Sequence, residues 1–378
     1  MRLYLHIYPY IYECLLISYD NLNIFFCWQI SFIMIINFLI IIISSFLILS
    51  FNCELYNQSW DNNNNNNTID YYLLWLTWQL RYNQYYQKTN ELKNFYYWQL
   101  NVQKILLHNL YYDLGIKTYR KSINQYTAIN WNEFYNQKIK KNNQYFKNIK
   151  KMNKLRNNNN NNDNNNNLPD YVDWRNNDTV TPVKTQEDCA SSWAIASIEA
   201  LEGQVKIKTG TLTPLSSQQL VDCAGDHECV ENPVSVAFDF IKQNGVESQQ
   251  DYPFTGKVGN CTYDSSKKVT TISSYIQVDD NEKELQKAVY NIGPIAVRIA
   301  MTQEFLTYGS GVLLIDDCQN EEPFESVLVV GYGIENDIPY WLVKFNLGEE
   351  FGDHGYIKLA RNYKNMCHIA NFAYYPVI

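Results

Sequence analysis

Charge is scarce in this chain, and so are glycine, proline and histidine. Only 19% of its 378 residues are Asp, Glu, Lys or Arg, while 46% are hydrophobic, which excludes a wholly disordered chain. Its 15 glycines keep no three-residue period, so it is not collagen. No sustained heptad array or short repeat points to a long coiled coil or a solenoid. No zinc, EF-hand or phosphate-loop spacing occurs, so no metal or other cofactor is expected. Aromatic residues are what the chain has in quantity. They make up 15% of it, and 31 are Tyr, so much of the apolar surface ends in a hydroxyl. The length suits roughly two to three domains.

The net charge of −8 is unevenly spread. Residues 1–53 carry one basic and two acidic groups, residues 54–167 carry 15 and 7, and residues 168–378 carry 15 and 30. A basic segment beside an acidic one attracts it, and nucleic acid is not expected as a partner because phosphate would be repelled by the acidic half. Residues 30–51 form a run of 22 without charge, long enough at ~1.5 Å per residue to cross a ~30 Å hydrocarbon layer. This 1–53 leader reads as a signal peptide, with Met34 as an alternative start, or as a signal anchor that holds the chain in a membrane. Either way the rest of the chain meets an oxidising space: the secretory pathway, a lysosome or the exterior.

Asparagine runs at 62–67 and 157–167, the second broken by Asp163, cannot bury enough apolar area to order themselves and read as linkers. Between them Leu73, Leu76 and Leu80 form one stripe at helical spacing, and Trp98, Val102, Ile105 and Asn109 form another. A basic stretch from Lys138 to Arg156 is a linker, a processing site or a contact with the acidic half. In residues 168–378 the spacing predicts a helix over 193–209, stopped by Gly210, and the apolar runs 327–331 and 340–343 predict buried strands. The class is α+β. Six cysteines in an exported domain imply disulfides, but six allow 15 pairings. Asn57, Asn66, Asn177 and Asn260 stand in glycosylation sequons.

Several stretches carry a resemblance. LPDYVDWR (168–175), LSSQQLVDC (215–223), GPIAV (293–297), VLVVGYG (327–333) and YWLVK (340–344) occur in the order found in papain-like cysteine proteases of the cathepsin L type. The resemblance implies a two-lobed fold for residues 168–378, one lobe helical and one a β-barrel-like sheet, meeting at a cleft. It implies the pairs Cys189–Cys229, Cys223–Cys261 and Cys318–Cys367. It also makes residues 54–167 a helical pro-region: Trp98, Asn101, Ile105 and Asn109 resemble the family's propeptide signature, although its Glu and Arg fall on Asn90 and Asn94, and the Asp of the following short motif falls on Ala128.

The chemistry the family needs is altered. A thiolate nucleophile uses a helix N-terminus to lower its pKa, an imidazole to carry the proton and a third group to orient that imidazole. Gln186, at the oxyanion position, remains. The nucleophile position holds Ser192, the imidazole position Glu325, the orienting position Phe345, and the aromatic position beyond it Leu347. A one-residue slip to Asn346 would, in a strand, point that side chain to the opposite face. His227, His354 and His368 do not fall at the imidazole position. Glu231-Asn232 replaces a Gly-Gly pair that lets substrate backbone approach, and Arg298 falls at the wall of the specificity pocket, where it fills the pocket or pairs with an acidic ligand. The expectation is a proteolytically inactive homologue that binds a peptide or protein ligand in the inter-lobe cleft and its own pro-region. The alternatives are a Ser–Glu peptidase working in acid through Ser192 and Glu325, and a structural or adhesive, membrane-tethered glycoprotein.

Overall fold

The computed structural model describes residues 70–139, residues 168–378 apart from 188 and 226–228, and the backbone of an antiparallel hairpin, β1 (Cys14–Tyr19) with β2 (Leu22–Cys27). The apolar run 30–51, both Asn runs, the basic stretch beyond Ile139, His227 and the sequons at Asn57 and Asn66 lie outside the described residues. Residues 70–378 form one compact unit, with two buried clusters of its own.

The unit begins with α1 (Tyr71–Arg81), capped by the Asp70 carboxylate, which accepts from the Tyr72 and Leu73 amides. The leucine stripe expected to bury this helix does not. Leu73, Leu76 and Leu80 are 60%, 38% and 74% exposed, while Trp75 and Trp78 are buried. The partner explains the choice. The next helix, α2 (Lys88–Asp113), offers Phe95 and Trp98, and the indoles stack there: Trp75 lies 5.0 Å from Trp78 and 5.7 Å from Trp98. Large flat rings bury more area per side chain than leucine and gain from edge and offset contact. Ala128 completes this cluster, where a charged residue would need a partner.

The second predicted stripe does face inward: Trp98, Val102 and Ile105 are buried. Asn101 donates to the Thr127 and Ile129 carbonyls, and Asn109 both donates to the Lys121 carbonyl and accepts from the Lys121 amide. That amide pair holds β3 (Tyr119–Lys121) in extended form. A helix α3 (Trp131–Ile139) follows.

Residues 168–378 start with the short β4 (Val172–Asp173), followed by α4 (Ser192–Thr209), α5 (Ser217–Cys223) and α6 (Val234–Asn244). Then come β5 (Val246–Glu247), β6 (Lys268–Thr270), β7 (Ser274–Gln277), α7 (Glu282–Asn291), β8 (Ile295–Ile299), α8 (Gln303–Leu306) and β9 (Tyr308–Leu313). The chain ends with β10 (Glu325–Glu335), β11 (Ile338–Lys344), β12 (Tyr356–Ala360) and β13 (Ala373–Val377). The main sheet runs β3-β9-β12-β11-β10-β8-β13-β7, with β4 against β10. Gly331 sits where β4 crosses: a Cβ there would lie 2.1 Å from the Val172 carbonyl oxygen. The helix predicted over 193–209 is α4, and Gly210 ends it at φ +80°. Ala194, Ile198, Leu201 and Val205 are buried in one core with β8, β10 and β11, and Ile195 is buried as well.

Disulfides join Cys189 to Cys229, Cys223 to Cys261 and Cys318 to Cys367, the pairs the resemblance implies, across 40, 38 and 49 residues. Loops of that length suggest about 4 kcal/mol of stabilisation each in the chain-entropy account.

Candidate functional site

The altered positions meet where the N-terminus of α4 faces the start of β10. Ser192 is the first residue of the 18-residue α4 and is fully buried. Its hydroxyl donates to Glu231 Oε2 at 2.7 Å and accepts from the Ser326 amide at 2.9 Å. Glu231 lies before α6, on the helical side, while Ser326 belongs to β10. The carboxylate therefore sits at the positive end of the α4 dipole, held through the serine.

Glu325 is buried as well and accepts from the Gln186 side-chain amide at 2.9 Å. The side chain expected at the oxyanion position thus donates to a carboxylate. Phe345 does not join this group. Buried just past the end of β11, it packs against Phe305 at 6.0 Å and Phe351 at 5.3 Å between ring centroids. Asn346 corrects the strand argument. Because β11 ends at Lys344, the alternation of faces no longer governs, and Asn346 Nδ2 donates to the Ser326 carbonyl at 3.2 Å while its own carbonyl takes the Gln186 amide at 2.9 Å.

Arg298, on β8, is buried near these two carboxylates. Its guanidinium donates to the carbonyls of Pro323, Asn232 and Phe324 at 3.1–3.3 Å. Burial pulls it down to about 10, and the nearby Glu231 and Glu325 carboxylates oppose that fall. It stays charged at neutral pH. Two carboxylates and one guanidinium are thus sealed where the resemblance leads one to expect a substrate cleft.

The sequence pointed to Ser192, Glu325 and Arg298, but it assigned Glu231 only the loss of a glycine. Glu231 is the group that accepts the Ser192 hydroxyl's hydrogen bond. The signal was an acidic residue at a position reserved for the smallest side chain, but its partner required the fold. Among the described histidines none reaches this group: His108 bonds the Tyr119 carbonyl, His368 the Gln319 carbonyl, and His354 sits in an exposed turn at φ +52°. Of the described sequons, Asn177 and Asn260 are both exposed.

The pro-region covers the same side. Gln125 Nε2 and the Tyr126 hydroxyl donate to the Leu347 carbonyl at 3.1 and 3.2 Å. β3 pairs antiparallel with β9. The Tyr119 hydroxyl donates to Glu304, and Lys121 Nζ lies 2.9 Å from the same carboxylate. Burial pushes Glu304 up, but Lys121 and the Tyr119 hydroxyl outweigh it and hold the carboxyl below its ordinary value. Burial, the largest influence, holds His108 below its ordinary value.

A sequence profile described as papain family cysteine protease matches residues 168–377. Cathepsin S of Bos taurus is 37% identical over 321 residues, covering 82% of this chain and 93% of that protein. Testin-2 of Mus musculus is 35% identical over 313 residues, covering 80% and 92%. Digestive procathepsin L 3 from the larval midgut of Tenebrio molitor superposes with a TM-score of 0.72 at 31% identity, covering 82% of this chain and all of that one. The architecture is therefore the two-lobed α+β fold of a proform, with the pro-region bound to the domain that follows it.

Proposed function

Because the chain belongs to the papain family of cysteine proteases, we propose that it is a member that has given up peptidase chemistry and acts by binding. The observation that carries this reading is the Ser192 hydroxyl. It is fully buried, donates to Glu231 and has no described imidazole within reach. A hydroxyl needs a base to become a nucleophile, and the imidazole that fills this part in the family is replaced by carboxylates among the described residues. The three disulfides support export through an oxidising compartment, lysosomal or extracellular. The ligand proposed is a peptide or protein at the inter-lobe groove, with the bound pro-region as its first occupant.

The test is an activity screen on the full chain and on its processed domain, from about pH 4 to about pH 8, with broad peptide substrates and a thiol-directed covalent inhibitor. No turnover and no labelling are expected. Turnover that vanishes in Ser192→Ala would overturn the reading. One observation favours a second reading, a Ser–Glu peptidase: the 2.7 Å Ser192–Glu231 bond supplies an acceptor for the serine proton. Its mark would be a rate that depends on Glu231 rather than Glu325. Partner binding that ignores every groove substitution would instead favour an adhesive glycoprotein.

A further inference from the structure

We infer that the seam between the pro-region and residues 168–378 holds a binding site for a small zwitterion with an apolar body: an apolar amino acid or a short peptide with both ends free. A cavity of about 660 Å³ lies there, lined by α2 and residues 116–121 of the pro-region and by Glu304 and residues 314–317 of the domain. That volume is within the ~300–1,000 Å³ of ordinary small-molecule sites. None of the residues around Ser192 lines it, so the site is independent of what the groove binds.

The lining has three kinds of surface. Leu107, Tyr111, Ile116, Leu314 and Ile315 make it apolar in part. Its charges divide across the seam, with Lys104 and Lys117 on the pro-region and Asp316 and Asp317 on the domain. Two further charges are already paired: Lys121 Nζ lies 2.9 Å from Glu304, which also takes the Tyr119 hydroxyl. The other four are not. Among the described residues Lys104, Lys117 and Asp317 have no salt bridge, and Asp316 has only a 3.5 Å contact from the Tyr363 hydroxyl. Burial, and after it the neighbouring Glu304 carboxylate, holds Asp317 above its ordinary value, as befits a carboxylate without a cation. His108 adds a third surface. It is 8% exposed and lines the cavity. Its Nε2 lies 2.9 Å from the Tyr119 carbonyl oxygen, and a carbonyl only accepts, so Nε2 carries the hydrogen. Burial favours the neutral imidazole, so Nδ1 keeps its lone pair, and among the described residues nothing donates to it. A buried acceptor without a donor costs free energy. The site thus offers His108, Asp316 and Asp317 as acceptors for an ammonium, and Lys104 and Lys117 as donors for a carboxylate. A simple anion would leave the acceptors unanswered, and a simple cation would leave the lysines.

The test is titration calorimetry of the full chain with the dipeptide Leu-Leu, and with its N-acetyl and C-amide forms, each of which lacks one charge. Leu-Leu should bind, and each blocked form should bind about tenfold more weakly. Free leucine is a further arm: tighter binding of leucine would name the amino acid as the ligand, and tighter binding of Leu-Leu the peptide. Lys104→Gln/Lys117→Gln should weaken Leu-Leu about tenfold and leave the C-amide form unchanged. Asp316→Asn/Asp317→Asn should do the same with respect to the N-acetyl form. All four residues are exposed, so both variants should keep the parent's melting temperature, and the blocked ligands report on the two charges without any variant. Because the ligand would touch both sides of the seam, Leu-Leu should also raise the melting temperature and slow proteolysis of residues 70–139. Absence of binding up to about 10 mM, equal binding of free and blocked forms, or binding untouched by both double substitutions would each overturn the inference, the last by placing the dipeptide elsewhere.

Discussion

Two buried charge clusters lie along α4, and they are built differently. Two to three turns into the helix, Glu199 and Glu202 face Lys344 and Lys184. Lys344 Nζ lies 2.7 Å from Glu199 and also donates to the Thr181 and Pro182 carbonyls, while Glu202 takes Lys184 at 2.9 Å, the Thr181 hydroxyl and the Leu215 amide. That cluster balances two negative charges with two positive. At the helix N-terminus, the Glu231 and Glu325 carboxylates both act on the Arg298 guanidinium, and among the described residues Glu231 Oε1 has no hydrogen-bond partner. The balanced cluster behaves as masonry between helix and sheet. The second, on the function proposed above, stands where a substrate would otherwise enter. The difference teaches that this end of α4 is filled with buried charge, at some expense in desolvation, rather than with a neutral core.

Substitutions can break that comparison. The largest effect is expected for Lys344→Met, which leaves Glu199 buried without its cation. The loss should be about 3–5 kcal/mol in denaturant unfolding, and a loss below about 1 kcal/mol would mean that the pair is dispensable. Arg298→Met should cost about 3 kcal/mol because two carboxylates then face each other. Adding Glu231→Leu should recover a good part of that loss, and strict additivity of the two changes would deny their coupling.

A smaller effect is expected from pH at the pro-region contact. His108 and Glu304 both have lowered values in the folded chain. Each therefore contributes stability that is complete above its ordinary value and fades as the pH falls through the lowered one. The contact should loosen in two stages, first below about pH 6.5 and then below about pH 4. Asp317, which burial raises, works in the opposite sense. Limited proteolysis of residues 70–139 across that range reads the result, and protection that stays flat would exclude both groups. The smallest effect on activity is expected for Ser192→Cys. Stability should fall by about 1–3 kcal/mol, because a thiol is a poor partner for the Glu231 carboxylate and the Ser326 amide, and peptide hydrolysis should stay absent because a thiol alone does not supply the proton carrier.

Much of this was legible in the sequence for identifiable reasons. The helix over 193–209 announced itself by apolar spacing and a glycine stop, and β10 and β11 by short β-branched runs between turns. The inward face of α2 followed from Trp98, Val102 and Ile105. The face of α1 did not, because helical spacing finds a stripe but cannot weigh leucine against tryptophan until the partner's rings are known. Asn346 was misjudged because periodicity assumes that the strand continues, and β11 ends two residues earlier. Glu231 went unassigned because its hydrogen bond to Ser192 spans 39 residues.

The strand β3 has one more implication. It lies outermost beside β9, with the Ser122 amide donating to the Thr307 carbonyl and the Val312 amide to the Thr118 carbonyl. A molecule trimmed of its first 167 residues would bare a row of main-chain donors and acceptors along β9. Such a margin recruits whatever extended polypeptide is near, including another molecule of the same kind. Retaining the segment would therefore keep the protein solitary as well as covered.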